Sequence, residues 1–318
     1  MHGNIIVGQS GGPTSVINSS LVGVFKTAKD RGAKKVYGML HGIKGLLDDQ
    51  YVDLSDHIKT DLDIDLLKRT PSSFLGSCRY KLPSISEGKD VYEKIFAKLN
   101  ELDIEAFFYI GGNDSMDTIK KLSDYAILVD SNIKIMGVPK TIDNDLATTD
   151  HTPGYGSAAK YIAAVTKEII RDGLVYDYPQ FTIIEIMGRN AGWLTAAAAL
   201  SKSEDCEGVD MIFLPEVPFD IDNFMEKVKE LSKKKNSIVI AISEGIKVAD
   251  GRYVFELADH VSFTDAFGHK QLSGSAKFLA NKIGAELGVK TRAIELSTLQ
   301  RSAAHMTSRV DITEAFQV

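Results

Sequence analysis

Cysteine is nearly missing from this sequence: there are two, Cys78 and Cys206, far apart and without metal-ligand partners at short spacing. That argues against a disulfide framework or a zinc site, and the setting expected is a reducing cytoplasm. Long apolar runs are also missing. None approaches the roughly 18 residues of a membrane-spanning helix, and Met1-His2-Gly3-Asn4 runs into Ile5-Ile6-Val7 without a basic leader, so no membrane partner is expected. Positive charge is not in excess either. With 43 acidic against 37 basic residues and a net charge of −6, the body lacks the basic face of a nucleic-acid binder. Any phosphate site must be locally basic on an acidic surface. The seven histidines show no H-x-x-x-H or H-E-x-x-H spacing, and His41, His57, His260 and His269 read as ordinary surface or core residues. Internal repeats, low-complexity tracts and a Pro/Gly/Ser-rich linker are absent as well.

What is present is a regular alternation. The 318 residues suggest two domains. Short apolar runs predict strands over residues 4–7, 106–110, 133–138, 181–187, 211–214 and 237–242. Amphipathic stretches at three-and-four spacing predict helices over 16–29, 90–102, 157–171 and 221–235, with the charged run 227–235 as the solvated face and end of the last. Strand, helix, strand at this rhythm means a parallel α/β sheet. Ligands of such sheets bind beyond the carboxyl ends of the strands, where four notable loops fall: Gly8 to Thr14, Gly111 to Ser115, Pro139 to Asp145 and Gly188 to Gly192.

Gly8-Gln9-Ser10-Gly11-Gly12-Pro13-Thr14 follows a strand and opens a helix, so its backbone N–H groups can cradle an anion. It is neither a Walker A loop nor a dinucleotide fingerprint, and a plain tight turn remains open at this point. Gly154-Tyr155-Gly156-Ser157-Ala158-Ala159 satisfies G-x-G-x-x-A but follows no strand; its glycines more simply shape a helix entry. In Lys140-Thr141-Ile142-Asp143-Asn144-Asp145, an extended backbone would put Thr141, Asp143 and Asp145 on one side. Asp143 beside a lysine and a phosphate could remain ionised as a general base, with Asp145 holding a metal or fixing Lys140; the bland alternative is a surface loop. Arg189 closes another strand in Met187-Gly188-Arg189, and Arg79, Arg292 and Arg301 are further candidate anion ligands, with Arg189 and Arg292 expected at strand ends. Glu244 in Ser243-Glu244-Gly245 ends a strand where an acid can bind sugar hydroxyls.

In order along the chain, Ser10-Gly11-Gly12-Pro13, Gly76-Ser77-Cys78-Arg79, Gly111-Gly112-Asn113-Asp114-Ser115, Thr141-Ile142-Asp143-Asn144-Asp145, Glu185-Ile186-Met187-Gly188-Arg189, Ser243-Glu244-Gly245 and Gln300-Arg301 resemble the 6-phosphofructokinases. The resemblance implies two Rossmann-like domains with mainly parallel sheets, a phosphate-donor domain over 1–154 plus 300–318 and a fructose 6-phosphate domain over 155–299. It implies Asp143 as the base toward the sugar 1-hydroxyl, with Thr141 and Lys140 as catalytic neighbours. Gly11, Gly12, Arg79, Gly112, Asp114 and Ser115 would face the donor. Asp145, Met187, Gly188, Arg189, Glu244, Arg292 and Arg301 would bind fructose 6-phosphate, and Asn113 and Asp114 would lie on the side of a Mg²⁺ ion. ATP-dependent relatives have glycine where this sequence has Asp114 and Lys140. A carboxylate at Asp114 would crowd and repel a nucleotide's α-phosphate while Lys140 pairs with pyrophosphate, so the resemblance is to the pyrophosphate-dependent branch.

The sequence departs from the family at Asn113, usually aspartate, at Gln180, often arginine, at Thr298, usually histidine or tyrosine, and at Ser302-Ala303, usually a glycine pair. Val318 follows soon after Arg301 whereas relatives continue, so the closing C-terminal part of the fold is expected to be missing. An ATP-dependent phosphofructokinase and a non-catalytic sugar-phosphate-binding homologue are the competing expectations. A homo-oligomer, dimer or tetramer, is expected by resemblance.

Overall fold

The computed structural model describes residues 3–257 and 272–318; His260 and His269 lie outside them. The chain divides into two units, residues 1–157 with 301–318, and residues 158–300. Each is a sheet covered by helices. The strands are β1 (Asn4–Gln9), β2 (Val36–Met39), β3 (Tyr51–Asp53), β4 (Ile104–Gly111), β5 (Lys134–Pro139), β6 (Gln180–Ile186), β7 (Met211–Phe213), β8 (Ser237–Ser243) and β9 (Lys290–Glu295). The helices are α1 (Ile17–Asp30), α2 (Gly42–Leu47), α3 (Asp61–Arg69), α4 (Lys89–Glu101), α5 (Asn113–Leu128), α6 (Tyr155–Gly173), α7 (Trp193–Ala197), α8 (Ile221–Ser232), α9 (Ser275–Leu287), α10 (Leu299–Ser302) and α11 (Arg309–Gln317).

In the first unit the strand order is β3-β2-β1-β4-β5, parallel except for the β2–β3 pair. Successive β1 residues feed opposite faces. Ile5 and Val7 pack with Leu21, Val22 and Phe25 of α1, whereas Ile6 packs with Tyr92, Ile95 and Leu99 of α4 and Leu122 of α5. Both faces are buried, which is why the strand reads as a continuous apolar run rather than an alternation. Thr60 and Asp63 cap α3 reciprocally and Asp220 caps α8 by accepting from the Asn223 N–H, so these helices start where a side-chain acceptor meets the orphan amides.

In the second unit the order is β7-β8-β6-β9, all parallel. Every residue of β6 is buried, and Phe181, Ile183, Ile238, Ile240 and Ile242 pack against Phe224 and Val228 of α8 and Leu279 and Ile283 of α9. Periodicity did not separate β2, β3 and β9 from their surroundings. β2 and β3 are short, and β9 carries Lys290, Arg292 and Glu295 on an edge.

The C-terminal helix α11 closes the first unit on α1. The Ser19 hydroxyl donates to the Ile312 carbonyl at 2.7 Å, and one turn on, a Cβ added to Gly23 would stand 2.2 Å from the Phe316 carbonyl oxygen. Gly23 is therefore the small residue that admits the second helix. Gly23→Ala should force α11 off its seat and destabilise the protein by about 1–3 kcal/mol, the usual cost of overpacking, read as a lower urea midpoint at unchanged m-value. An unchanged midpoint would show that α11 has room to shift.

Candidate active site

Strand order dictates where a ligand can sit in the first unit. From β1 the chain moves outward through β2 and β3, and from β4 it moves the other way to β5, so β1 and β4 flank a topological switch point. The loops beyond their carboxyl ends lie side by side and are tied together. The Ser10 N–H donates to the Ile110 carbonyl at 2.9 Å, and the Ser10 and Ser115 hydroxyls hydrogen-bond to each other. A Cβ on Gly111 would stand 1.9 Å from the Ser115 oxygen, so glycine there is a condition of that contact. Gly11 has φ +74°, a left-handed conformation that glycine adopts without strain. The Gly76–Arg79 segment fixes it from outside: Ser77 Oγ donates to the Gly11 carbonyl at 2.6 Å and the Gly11 N–H to the Cys78 carbonyl at 3.3 Å. Gly112 precedes the first residue of α5, whose opening turn carries Asn113 and Asp114.

Lys140 is the chemical centre of this face. It is 3% exposed, its backbone N–H is held by the Gly111 carbonyl at 3.0 Å, and its ammonium donates to the Gly12 carbonyl. A Cβ on Gly12 would lie 2.9 Å from Arg301 Nη1, so the guanidinium covers the same glycine. Burial first, then the Arg301 charge, push the Lys140 ammonium down to about 8, against a smaller opposing pull from Asp143. Two cations and a carboxylate thus converge on a glycine loop.

The Asp143 N–H donates to Thr141 Oγ1 at 3.1 Å, and Thr141 is anchored to Pro153 O at 3.1 Å and bridged to Gly154. The extended run expected through Asp145 stops short. Asn144 has φ +53° and its side chain binds Thr152 N at 2.8 Å and Asp150 O at 3.2 Å, a local closure that turns the chain. Asp145 is consequently not placed by alternation with Thr141 and Asp143; it accepts from Asn113 Nδ2 at 2.8 Å. Asp114 and Arg79 are exposed. Ser115 is buried with its hydroxyl committed to Ser10.

In the second unit the loops after β6 and β8 meet. Gly188 N lies 3.5 Å from Glu244 Oε1, Ser243 Oγ donates to the Gly188 carbonyl at 2.7 Å, and Met187 N donates to Gln300 Oε1 at 3.0 Å. Gly245 leaves room for the Arg189 backbone, whose carbonyl oxygen would be 2.0 Å from an added Cβ. Met187, Gly188, Arg189 and Glu244 are therefore one group. Arg292 is not with them and does not end its strand. It is the third residue of β9, opposite Thr182, and binds Asp172 near the end of α6 at 3.2 Å. Gln180, where an arginine was looked for, is buried and donates to the Gly173 carbonyl at 2.7 Å, so it closes the end of α6.

These loops carry the resemblance, and the comparisons agree with it. The Phosphofructokinase family model matches residues 4–315. The chain belongs to the phosphofructokinase family. It is 42% identical over 316 residues to a pyrophosphate–fructose 6-phosphate 1-phosphotransferase of Xanthomonas campestris pv. campestris, covering 99% of this chain and 74% of the relative. It is 41% identical to the protein of the same name from Rhodospirillum rubrum, covering 99% and 77%. The crystal structure of a pyrophosphate-dependent phosphofructokinase from Nitrosospira multiformis superposes with a TM-score of 0.85 at 34% identity, over 98% of this chain and 73% of that one. The α/β fold with mainly parallel sheets expected of a phosphofructokinase is thereby met. No described helix is long and apolar enough to cross a membrane.

Sequence motifs located the glycine loops, Lys140 and the polar residues beside them, but not the partners of those polar residues. Ser10, Ser77 and Gln300 act through partners distant in sequence, a signal no local pattern carries. Among the described residues no three His, Cys, Asp or Glu side chains converge as a metal-ligand set. The Lys140 shift has a signed consequence for the free protein. Its folded pKa, about 8, lies below the ordinary 10.5, so between these values the unfolded chain binds more protons and stability rises with pH. Denaturant titrations should therefore show the protein gaining on its Lys140→Met variant as pH goes from about 8 to about 10. A constant difference across that window would mean that the ammonium is not buried.

Proposed function

We propose that this chain transfers a phosphoryl group reversibly from pyrophosphate to the 1-hydroxyl of fructose 6-phosphate, giving fructose 1,6-bisphosphate and phosphate. The observation that carries the reading is Lys140. An ATP-dependent site with glycine there has no ammonium against the Gly11–Gly12 loop; here a buried one sits on the Gly12 carbonyl beside Arg301. Pyrophosphate, compact and multiply charged, neutralises both cations at once. The curated relatives with about 40% identity carry the pyrophosphate-dependent name.

In this mechanism the backbone of Gly11, Gly12 and Gly112 and the start of α5 receive the donor, with Arg79 and Ser115 at its rim. Asp143 takes the proton of the sugar 1-hydroxyl as its oxygen bonds to the nearer phosphorus. The bridging P–O bond breaks, and phosphate leaves with its charge balanced by Lys140 and Arg301. Thr141 holds the Asp143 backbone in place. Met187, Gly188, Arg189 and Glu244 are the proposed sugar-phosphate ligands, to which the resemblance adds Asp145 and Arg301. Asn113 and Asp145, with Asp114 nearby, are the groups that would hold Mg²⁺, which would supply positive charge against that developing on the phosphates. Arg292, spent on Asp172 within its own chain, is the weakest member of the set; a homo-oligomer and a cytoplasmic setting belong to the same proposal.

Donor comparison decides it. Pyrophosphate should support turnover and ATP should not, and comparable kcat/KM for the two would sink the assignment. Asp143→Asn should lower kcat by roughly 10² to 10⁴ with little change in KM; a near-normal kcat would leave Asp143 structural. Asp114→Gly should admit weak ATP use by removing a carboxylate from the space of the α-phosphate, whereas Lys140→Gly should depress pyrophosphate turnover without admitting ATP. If Asp114→Gly leaves both donors as they were, the donor gate lies elsewhere.

In the free enzyme Lys140 must be protonated to receive pyrophosphate. The pH profile of kcat/KM for pyrophosphate should therefore fall above about 8, and Lys140→Arg, which cannot deprotonate, should remove that limb. A limb that persists in Lys140→Arg belongs to another group.

A further inference from the structure

The loop that bears Asp143 is held by a residue far from it in sequence. Asp311, on α11, is 1% exposed, and all its visible partners are amides and a hydroxyl at the entry of α6. One carboxylate oxygen accepts from Gly154 N at 2.9 Å. The other accepts from Ser157 N at 2.8 Å and from the Ser157 hydroxyl. The carboxylate thus occupies the positive end of α6, which cannot then be a phosphate site.

Asp311 stands three residues after Ser308, which caps α11 by accepting from the Asp311 N–H. In a reciprocal capping box the acid at that position reaches back to the cap residue's own N–H. Here it does not. The Ser308 N–H goes to Ser157 Oγ at 3.1 Å, which frees the Asp311 carboxylate for the other helix. A local capping arrangement has been exchanged for a long-range one.

The far side of that contact is the catalytic loop. Gly154 has φ +109° and its Cβ position is filled by Thr14, 2.7 Å away, with the Thr141 carbonyl at 3.3 Å. It is bridged to Thr141, whose hydroxyl accepts the Asp143 N–H. His151, in the same loop, pairs with Glu314 one turn along α11 at 2.5 Å. The seat of α11 on Ser19 and Gly23 makes the clasp rigid.

We infer that Asp311 is a positioning residue for phosphoryl transfer: its carboxylate, by holding Gly154 and Ser157, fixes Thr141 and so the orientation of the Asp143 base. The inference rests on the proposed function for its catalytic meaning and on geometry alone for the clasp. A base displaced by a fraction of an ångström loses rate without losing substrate, so the effect belongs in kcat. An asparagine would turn an amide donor toward at least one of these donors and open the contact, although its shape is nearly the same.

The test combines steady-state kinetics with hydrogen exchange, on the protein as it stands, for Asp311→Asn, with Ser157→Ala as the milder variant. Asp311→Asn should lower kcat by roughly 10- to 10²-fold with KM for fructose 6-phosphate within twofold. Exchange should quicken in peptides covering 140–157 while β1 and β4 keep their protection. Ser157→Ala should move both readouts the same way by less. Unchanged exchange in 140–157, a kcat within twofold, or exchange that quickens throughout the first unit would each overturn the inference. Should Asp311→Asn fail to fold, wild-type exchange and kcat in Ser157→Ala would overturn it. An inactive wild-type protein would sink the proposed function instead, and the exchange of 140–157 would still decide the clasp.

Discussion

Much of the first unit's site depends on bringing two cations, Lys140 and Arg301, together against a glycine backbone. The Lys140 ammonium is out of water, carries Arg301 as a like-charged neighbour, and is left with the Gly12 carbonyl and the Asp143 charge as compensation. Burying a charge with so little relief is costly, and a lysine under that strain gives up its proton more readily. The site is therefore preorganised for a strongly anionic ligand at some expense to the free protein, as is expected where charge must be stabilised during transfer.

That constraint explains why the surrounding contacts are so largely backbone contacts. A side chain at Gly111 or Gly154 would strike a supporting group, one at Gly12 would meet the Arg301 guanidinium, and Gly11 holds a left-handed φ. The hydrogen bonds from Ser77 and Cys78 hold the first loop in a conformation it would not keep by itself. The serine pair Ser10 and Ser115 joins the two loops at the switch point. Polar side chains here are spent on geometry.

In the second unit the same logic appears with different chemistry. Ser243 and Gly245 shape the turn against which Gly188 and Arg189 lie, and the Gln300 side chain takes the Met187 amide. Arg292, by contrast, is bound to Asp172 and lies away from the carboxyl ends of the strands. The expectation that it ends a strand did not hold, because an edge strand rich in charge offers no periodicity from which to count.

Alternating apolar runs and amphipathic stretches were enough to read a parallel α/β organisation, since burial of both sheet faces is written into β1, β4, β6 and β8 as largely hydrophobic runs, while the division into two domains came from chain length and the resemblance. Short ordered motifs were enough to read the family, because glycines and charged residues at strand ends are dictated by local backbone geometry. The extended reading of Thr141 to Asp145 failed because Asn144 turns the chain through bonds to Thr152 and Asp150, partners that period-two alternation does not consider. What only the tertiary structure decided is how the local pieces are held: the burial of Lys140 beneath Arg301, the Asn113–Asp145 bond and the Asp311 clasp on Gly154 and Ser157. Each joins residues between about 30 and 160 positions apart in the chain, and such contacts exist only after sheet order and helix packing have brought the partners together.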